Sequence, residues 1–169
     1  MSTATRTKTL AGVRLVAFDV DGVFTDGRFY LSNDGIESKA FSTQDGYGIR
    51  RLIDAGLSVA VISGRKSQAV EQRMQELGVR FVVQGCKDKI AAFDAITSEL
   101  QITDREYAFV GDVLPDMPLL EAVGFSVAVR NAVGKLHDRC DHVTAAPGGN
   151  GAVRDVCDLV LDARNQGLT

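Results

Sequence analysis

The run Leu15-Val16-Ala17-Phe18 ends directly on two carboxylates, Asp19 and Asp21, which are followed at once by Gly22 and, a little further on, by Asp26-Gly27. A strand buried on both faces reads as a continuous apolar stretch. Open α/β sheets bind their ligands beyond the carboxyl ends of such strands. The segment therefore predicts a central parallel strand with an active site at its end, and every other feature is weighed against it.

At 169 residues and 45% apolar content the chain suits one well-buried domain and is short for two. Its net charge of −3, with no basic run longer than Arg50-Arg51 or Arg65-Lys66, carries no footprint for nucleic acid or an anionic membrane. The expected ligand is a small molecule, with no nucleic acid and no membrane as partner. No stretch reaches the roughly 20 apolar residues of a membrane span. Residues 1–9 lack the apolar core of a signal peptide and are expected to be a disordered tail. Cys86, Cys140 and Cys157 are odd in number and form no C-x-x-C pair, so neither a disulfide framework nor a zinc site is expected, and the chain suits a reducing cytoplasm.

Apolar strand-like runs at 13–20, 57–62, 79–83, 107–110 and 125–129 alternate with helical patterns at 46–55, 66–77, 88–100, 117–123 and 151–164. Such alternation implies right-handed crossovers and a parallel sheet covered on both faces, a doubly wound, Rossmann-like α/β domain. One interruption follows the acidic pair. Residues 28–32 and 36–41 flank Asn33-Asp34-Gly35, which reads as a β-hairpin inserted at 26–42. Pro147-Gly148-Gly149-Asn150-Gly151 is a glycine-dense turn whose backbone could approach a ligand closely or simply connect two elements.

Polar residues gather where strands should end: Asp19 and Asp21, then Ser63-Gly64-Arg65, then Lys89, then Asp112 and Asp116. Taken singly they have plain explanations, with Ser63, Asp112 and Asp116 as helix caps and Lys89 as a solvated side chain. Caps do not require all of them on one edge of one sheet. Carboxylates within ~4 Å repel by about 4 kcal/mol at an effective dielectric near 20, so a cation must sit among them or one must be protonated. Oxygen ligands favour Mg²⁺, which also takes waters and a phosphate oxygen. A hydroxyl and an ammonium can hold the phosphate while a carboxylate attacks phosphorus, which is phosphoryl transfer.

The order Asp19-Val20-Asp21-Gly22-Val23, Ser63, Lys89 and Gly111-Asp112-Val113-Leu114-Pro115-Asp116 resembles the four motifs of the haloacid dehalogenase phosphohydrolase superfamily over nearly the whole chain. The resemblance implies that Asp19 is the nucleophile and Asp21 the general acid/base. It makes Ser63 and Lys89 the phosphate holders, with Lys89 preferred to Lys87. Asp112 would join Asp19 and the Asp21 backbone carbonyl as metal ligands, with Asp116 a supporting acid. Val23 departs from the threonine of many members, though close sub-families also carry valine. The spacings 21–63 and 89–112 leave no room for a cap domain.

More narrowly, Lys39-Ala40-Phe41, Asp45-Gly46-Tyr47-Gly48-Ile49-Arg50, Ser63-Gly64-Arg65-Lys66 and residues 148–159 resemble the sub-family that hydrolyses 3-deoxy-D-manno-octulosonate (KDO) 8-phosphate. That implies a Mg²⁺-dependent phosphatase in the cytoplasm, on the route to lipopolysaccharide. Its homotetramer would cover each site with the hairpin and C-terminal tail of neighbours. Arg65, Gly64 and Arg154 are the implied substrate contacts, and the turn at 148–151 with Arg154, or the tail beyond Arg164, would reach a neighbouring site. Related nonulosonate 9-phosphate phosphatases tend to carry an acid where this chain has Arg65, which favours the octulosonate.

Rival classes fit less well. A calcium loop beginning at Asp19 would need an oxygen donor, glycine and glutamate where Val23, Phe24 and Tyr30 stand. A receiver module needs its acceptor Asp after the third strand, where Gln84-Gly85 follows Val83. A scaffold module on this fold has no use for both Asp19 and Asp21. His137 and His142 do not match a zinc helix pair and read as surface or packing residues, and Cys86 as a small half-buried side chain.

Overall fold

The computed structural model describes residues 10–167, apart from the side chain of Asp104. Its centre is β1 (Leu15–Phe18), whose four residues are wholly buried. Parallel partners lie on both sides of it, β4 (Ser58–Ile62) and β6 (Tyr107–Gly111). Outside them come β5 (Phe81–Val83), β7 (Phe125–Ala128) and β8 (His142–Val143), giving a six-stranded sheet in the order β5-β4-β1-β6-β7-β8. From β1 the chain builds outward through β4 and β5 and then returns to the other side at β6. The crevice between the ends of β1 and β6 is therefore the switch point at which such sheets bind ligands.

The crossovers are α1 (Thr43–Asp54), α2 (Gln68–Leu77), α3 (Lys89–Leu100) and α4 (Met117–Ala122). Right-handed connections place α1 and α2 on one face and α3 and α4 on the other. A single turn, α5 (Gly134–His137), precedes β8, and α6 (Ala152–Gly167) closes the chain against α1. Local chemistry starts the helices. Ser42 Oγ accepts from Asp45 N at 3.4 Å and Asp88 Oδ1 accepts from Ala91 N at 3.0 Å, while Gly78 ends α2 in the left-handed region.

The hairpin forms with the expected pairing, but its strands β2 (Tyr30–Leu31) and β3 (Glu37–Ser38) are only two residues each and make a separate sheet. The predicted strand at 13–20 is shorter than its apolar run, because Val20 O already accepts from Val23, Phe24 and Thr25 in a helical turn. Helix ends move by one to three residues, α1 starting at Thr43 rather than Gly46 and α6 running on to Gly167. The short elements β8 and α5 were not predicted, since neither is long enough to show a period. The tail at 1–9 lies outside the described residues.

Phe18 is fully buried and meets Phe24 edge to face at 5.4 Å, so one aromatic pair ties the central strand to the loop carrying Asp21. Phe18→Ala is expected to cost about 3–5 kcal/mol of unfolding free energy, measured by urea denaturation.

Candidate active site

Asp19, Asp112 and Asp116 bring carboxylate oxygens within 4.8 Å of one another at the switch point. The sheet places them: Asp19 leaves β1, its N–H donating to Val110 O at 2.9 Å, and Asp112 follows β6 directly. Asp116 is fully buried and its Oδ2 accepts from the N–H groups of Asp112 at 3.0 Å and Val113 at 3.3 Å. Lys89 at the start of α3 reaches across, and its Nζ donates to Asp19 Oδ1 at 2.7 Å and Asp116 Oδ1 at 2.6 Å.

One ammonium does not neutralise this crowd. Burial first, then the Asp116 charge, raises the Asp19 carboxyl above its ordinary value, against the opposing pull of Lys89. Burial, followed by Asp19 and Asp116, pushes Asp112 up to about 8. For Lys89, burial alone would lower the ammonium, but the two carboxylates outweigh it and the group is held above its usual value.

Asp21 stands apart from these three. Its Oδ1 accepts from Lys39, whose side chain is wholly buried, and its Oδ2 lies 3.8 Å from Arg65 Nε. Arg65 in turn donates to Glu37 Oε2 at 2.7 Å and stacks over the Phe29 ring at 4.2 Å. The loop between Asp21 and the hairpin is held by Thr25 Oγ1, which accepts from Gly22 N at 3.3 Å and Gly27 N at 3.2 Å. Gly22 has φ of +92°, and a methyl group there would lie 1.9 Å from Asp112 Oδ2, so only glycine lets the two loops approach.

Ser63 is buried at the end of β4, and its Oγ accepts from Arg65 N at 3.3 Å rather than capping a helix. Gly64 is open, with only Cys86 O near the position a side chain would take. Cys86 itself is half-buried, its Sγ 3.0 Å from Asp88 O, and His137 Nε2 lies 3.3 Å from Val129 O.

The turn after Pro147 packs on its own chain: Gly149 N donates to Val23 O at 2.9 Å, and a methyl group at Gly148 would come within 1.7 Å of Gly22 O. Within its own chain the turn is thus a buttress under the Asp21 loop. Arg154 is not brought to the carboxylates. Its Nε donates to Asp158 Oδ2 at 2.8 Å and its guanidinium faces Tyr47, while its backbone N–H is capped by Asp45 Oδ1 at 2.9 Å. Residues 165–167 extend α6 instead of forming a free tail.

Sequence reasoning missed Lys39, Glu37 and Phe29 as site residues and Asp45 as a buried cap. A lysine in a hairpin reads as solvated, and only its burial against Asp21 shows otherwise. Asp112 Oδ1 is buried with no hydrogen-bond partner, and it faces a set of hard oxygen donors carrying surplus negative charge. That donor chemistry suits a cation of the Mg²⁺ class.

The fold and the carboxylate site together define a hydrolase of the haloacid dehalogenase class, and residues 81–154 match the family of haloacid dehalogenase-like hydrolases. The chain is 47% identical to the 3-deoxy-D-manno-octulosonate 8-phosphate phosphatase of Escherichia coli over 154 residues, 91% of this chain and 82% of that one. The crystal structure of the phosphatase of that name from Yersinia pestis matches with a TM-score of 0.93 at 43% identity, over 95% of this chain and 86% of that one. The Moraxella catarrhalis phosphatase, solved with a magnesium ion, a phosphate ion and KDO, matches with a TM-score of 0.94 at 38% identity, over 98% of this chain and 95% of that one. The chain belongs to the 3-deoxy-D-manno-octulosonate 8-phosphate phosphatase family.

The Asp112 shift sets a pH dependence. Between its ordinary value of 3.8 and about 8 the folded protein holds a proton that the unfolded chain has released. Stability from this group is therefore complete below the lower value and is lost as pH rises through the upper one. Metal-free protein should show a Tm that falls from pH 5 to pH 8, by roughly ten degrees at most, and then levels off. Asp112→Asn should flatten that fall and remove the stabilisation by added Mg²⁺ in the same thermal scans.

Proposed function

We propose that this protein is a Mg²⁺-dependent phosphomonoesterase that hydrolyses KDO 8-phosphate to KDO and phosphate through an aspartyl phosphate on Asp19. The observation that carries this reading is the division of the acids. Asp19 is locked by Lys89 among the metal-type donors, whereas Asp21, two residues on, is turned away to a separate cationic partner. On this reading one carboxylate attacks phosphorus and the other moves protons.

Asp19 attacks phosphorus and the bond from phosphorus to the sugar oxygen breaks. Asp21 gives its proton to that departing oxygen. Asp21 then takes a proton from water, whose oxygen attacks the phosphorus of the aspartyl phosphate, releasing phosphate and restoring Asp19. Lys89 and the Ser63 hydroxyl hold the phosphoryl oxygens, and Asp116 keeps Lys89 and the Asp112 backbone in place. Asp19, Asp112 and the Asp21 carbonyl would hold Mg²⁺, which supplies charge neutralisation at the phosphoryl group. Arg65, half-exposed and 3.8 Å from Asp21, is the residue we assign to the sugar acid carboxylate.

The proposed assembly is a homotetramer. Tyr30, Leu31 and Ile36 on the hairpin are each about two-thirds exposed, and a hairpin of two short strands is marginal alone. Packing against copies of itself would both stabilise it and close an uncapped site to water. We place the reaction in the cytoplasm, in keeping with free thiols at all three cysteines.

Asp19→Asn should reduce turnover by about 10³-fold or more, since an amide cannot attack phosphorus. In the same assay EDTA should abolish activity and Mg²⁺ restore it, with KDO 8-phosphate preferred to nonulosonate 9-phosphates. More than a tenth of the activity in Asp19→Asn would refute the nucleophile assignment. A second prediction concerns assembly. Tyr30→Asp with Leu31→Asp should yield monomers by light scattering, with kcat/KM lost far more for KDO 8-phosphate than for p-nitrophenyl phosphate.

A further inference from the structure

Lys39 is the most conspicuous cation that the scheme above leaves without a task. Its side chain is 0% exposed although it flanks a hairpin whose Tyr30, Leu31 and Ile36 face solvent. Lysine is almost never fully buried unless paired. Here the pairing is to Asp21 Oδ1, with Glu37 Oε1 at 3.7 Å and the Phe29 ring centroid at 5.9 Å.

The backbone under Asp21 is fixed by other groups. Thr25 Oγ1, the turn on Val20 O and the bond from Gly149 N to Val23 O hold the loop from within and below. The carboxylate has no such support, because Lys39 is its one hydrogen-bond partner among the described residues and Arg65 Nε stands off at 3.8 Å. Glu37 then separates the two cations, binding Arg65 Nη2 at 2.7 Å and facing Lys39. The arrangement pins one oxygen of Asp21 and leaves the other without a hydrogen bond among the described residues, 3.8 Å from Arg65 Nε.

We infer that Lys39 is the positioning residue for Asp21, so that the inserted hairpin aims the proton-transferring carboxylate at the leaving-group oxygen. The inference rests on the acid/base role proposed for Asp21. The ion pairs of Lys39 go to Asp21 and Glu37, and none goes to Asp19, Asp112 or Asp116 among the described residues, so its loss should act on proton delivery and not on phosphate binding.

The test is a leaving-group series run on the full-length Mg²⁺-loaded protein, from nitrophenyl phosphates, whose anions depart unaided, to KDO 8-phosphate and simple alkyl phosphates, whose alkoxides need the proton. Lys39→Met should lower kcat for the alkyl esters by about 10²-fold, with KM and inhibition by inorganic phosphate little changed. The rate of the phosphorylation step for nitrophenyl esters in single-turnover mixing should change by less than about threefold, so the dependence on leaving group steepens, as it should in Asp21→Asn. Lys39→Arg keeps the charge at a shifted position and covers the event that Lys39→Met does not fold by circular dichroism. It should show the same steepening in weaker form. Equal losses for alkyl and aryl esters, or full activity on both, in whichever variant folds would overturn the assignment. Failure of the phosphatase reading itself would be seen separately, as no turnover of any ester by the unsubstituted protein.

Discussion

The Lys89 ammonium, lodged between the carboxylates of Asp19 and Asp116, is the interaction on which the rest of the site depends. Three acids meet where β1 and β6 end, and at ~4 Å each uncompensated pair costs about 4 kcal/mol at an effective dielectric near 20. A single lysine offsets part of that. The remainder is visible in Asp112, pushed up to about 8 with one oxygen buried and unpartnered. The sheet tolerates this because β1 is zipped on both sides by parallel partners and buried throughout. Core packing thus holds together a set of charges that would otherwise separate, and the same crowding makes the site a receptor for a divalent cation and a phosphoryl group.

Around that rigid centre the chain builds a second layer from remote segments. The glycine turn at 148–149 passes under the loop after Asp21 so closely that no side chain fits, and Asn131 Oδ1 accepts from Gly148 N at 2.8 Å to hold it there. Asp45 in α1 caps the first turn of α6 and so ties that turn to the helical layer, despite a burial that raises its carboxyl. The hairpin supplies Lys39 and Glu37 from the opposite side. Asp19 is therefore held by the sheet and Lys89, whereas the Asp21 carboxylate is held by a lysine from an insertion that lies outside the sheet. That separation gives two carboxylates only two residues apart different cations as partners.

Most of the sheet and the centre of the site were legible in the amino-acid order alone. An apolar run such as 15–18 has few ways to be buried, and polar residues that recur where runs stop mark strand ends, so Asp19, Asp21, Ser63, Lys89, Asp112 and Asp116 could be assembled on one edge before any fold was known. Even the choice of Lys89 over Lys87 followed from its place at a helix start, and the structure puts Lys89 in the carboxylate cluster. These features are local, and the strand and helix periods carry them.

What only the tertiary structure decided was the destination of side chains and turns whose partners lie far along the chain. Nothing in Lys39 or its neighbours distinguishes a solvated lysine from one wholly buried on Asp21, 18 residues earlier. Arg154 sits in a glycine-led string that suggests a substrate contact, yet Asp158 one turn on and Tyr47 of α1 take its guanidinium. The turn at 148–151 reads in the sequence as a plain connection or as a close approach to a ligand, and its packing against Gly22 is visible only in the fold. Strand and helix formation is determined within a few residues, where hydrophobic period and caps act. Pairing of a buried charge is determined by which surface the fold brings opposite to it, and that surface is set by the packing of the whole domain.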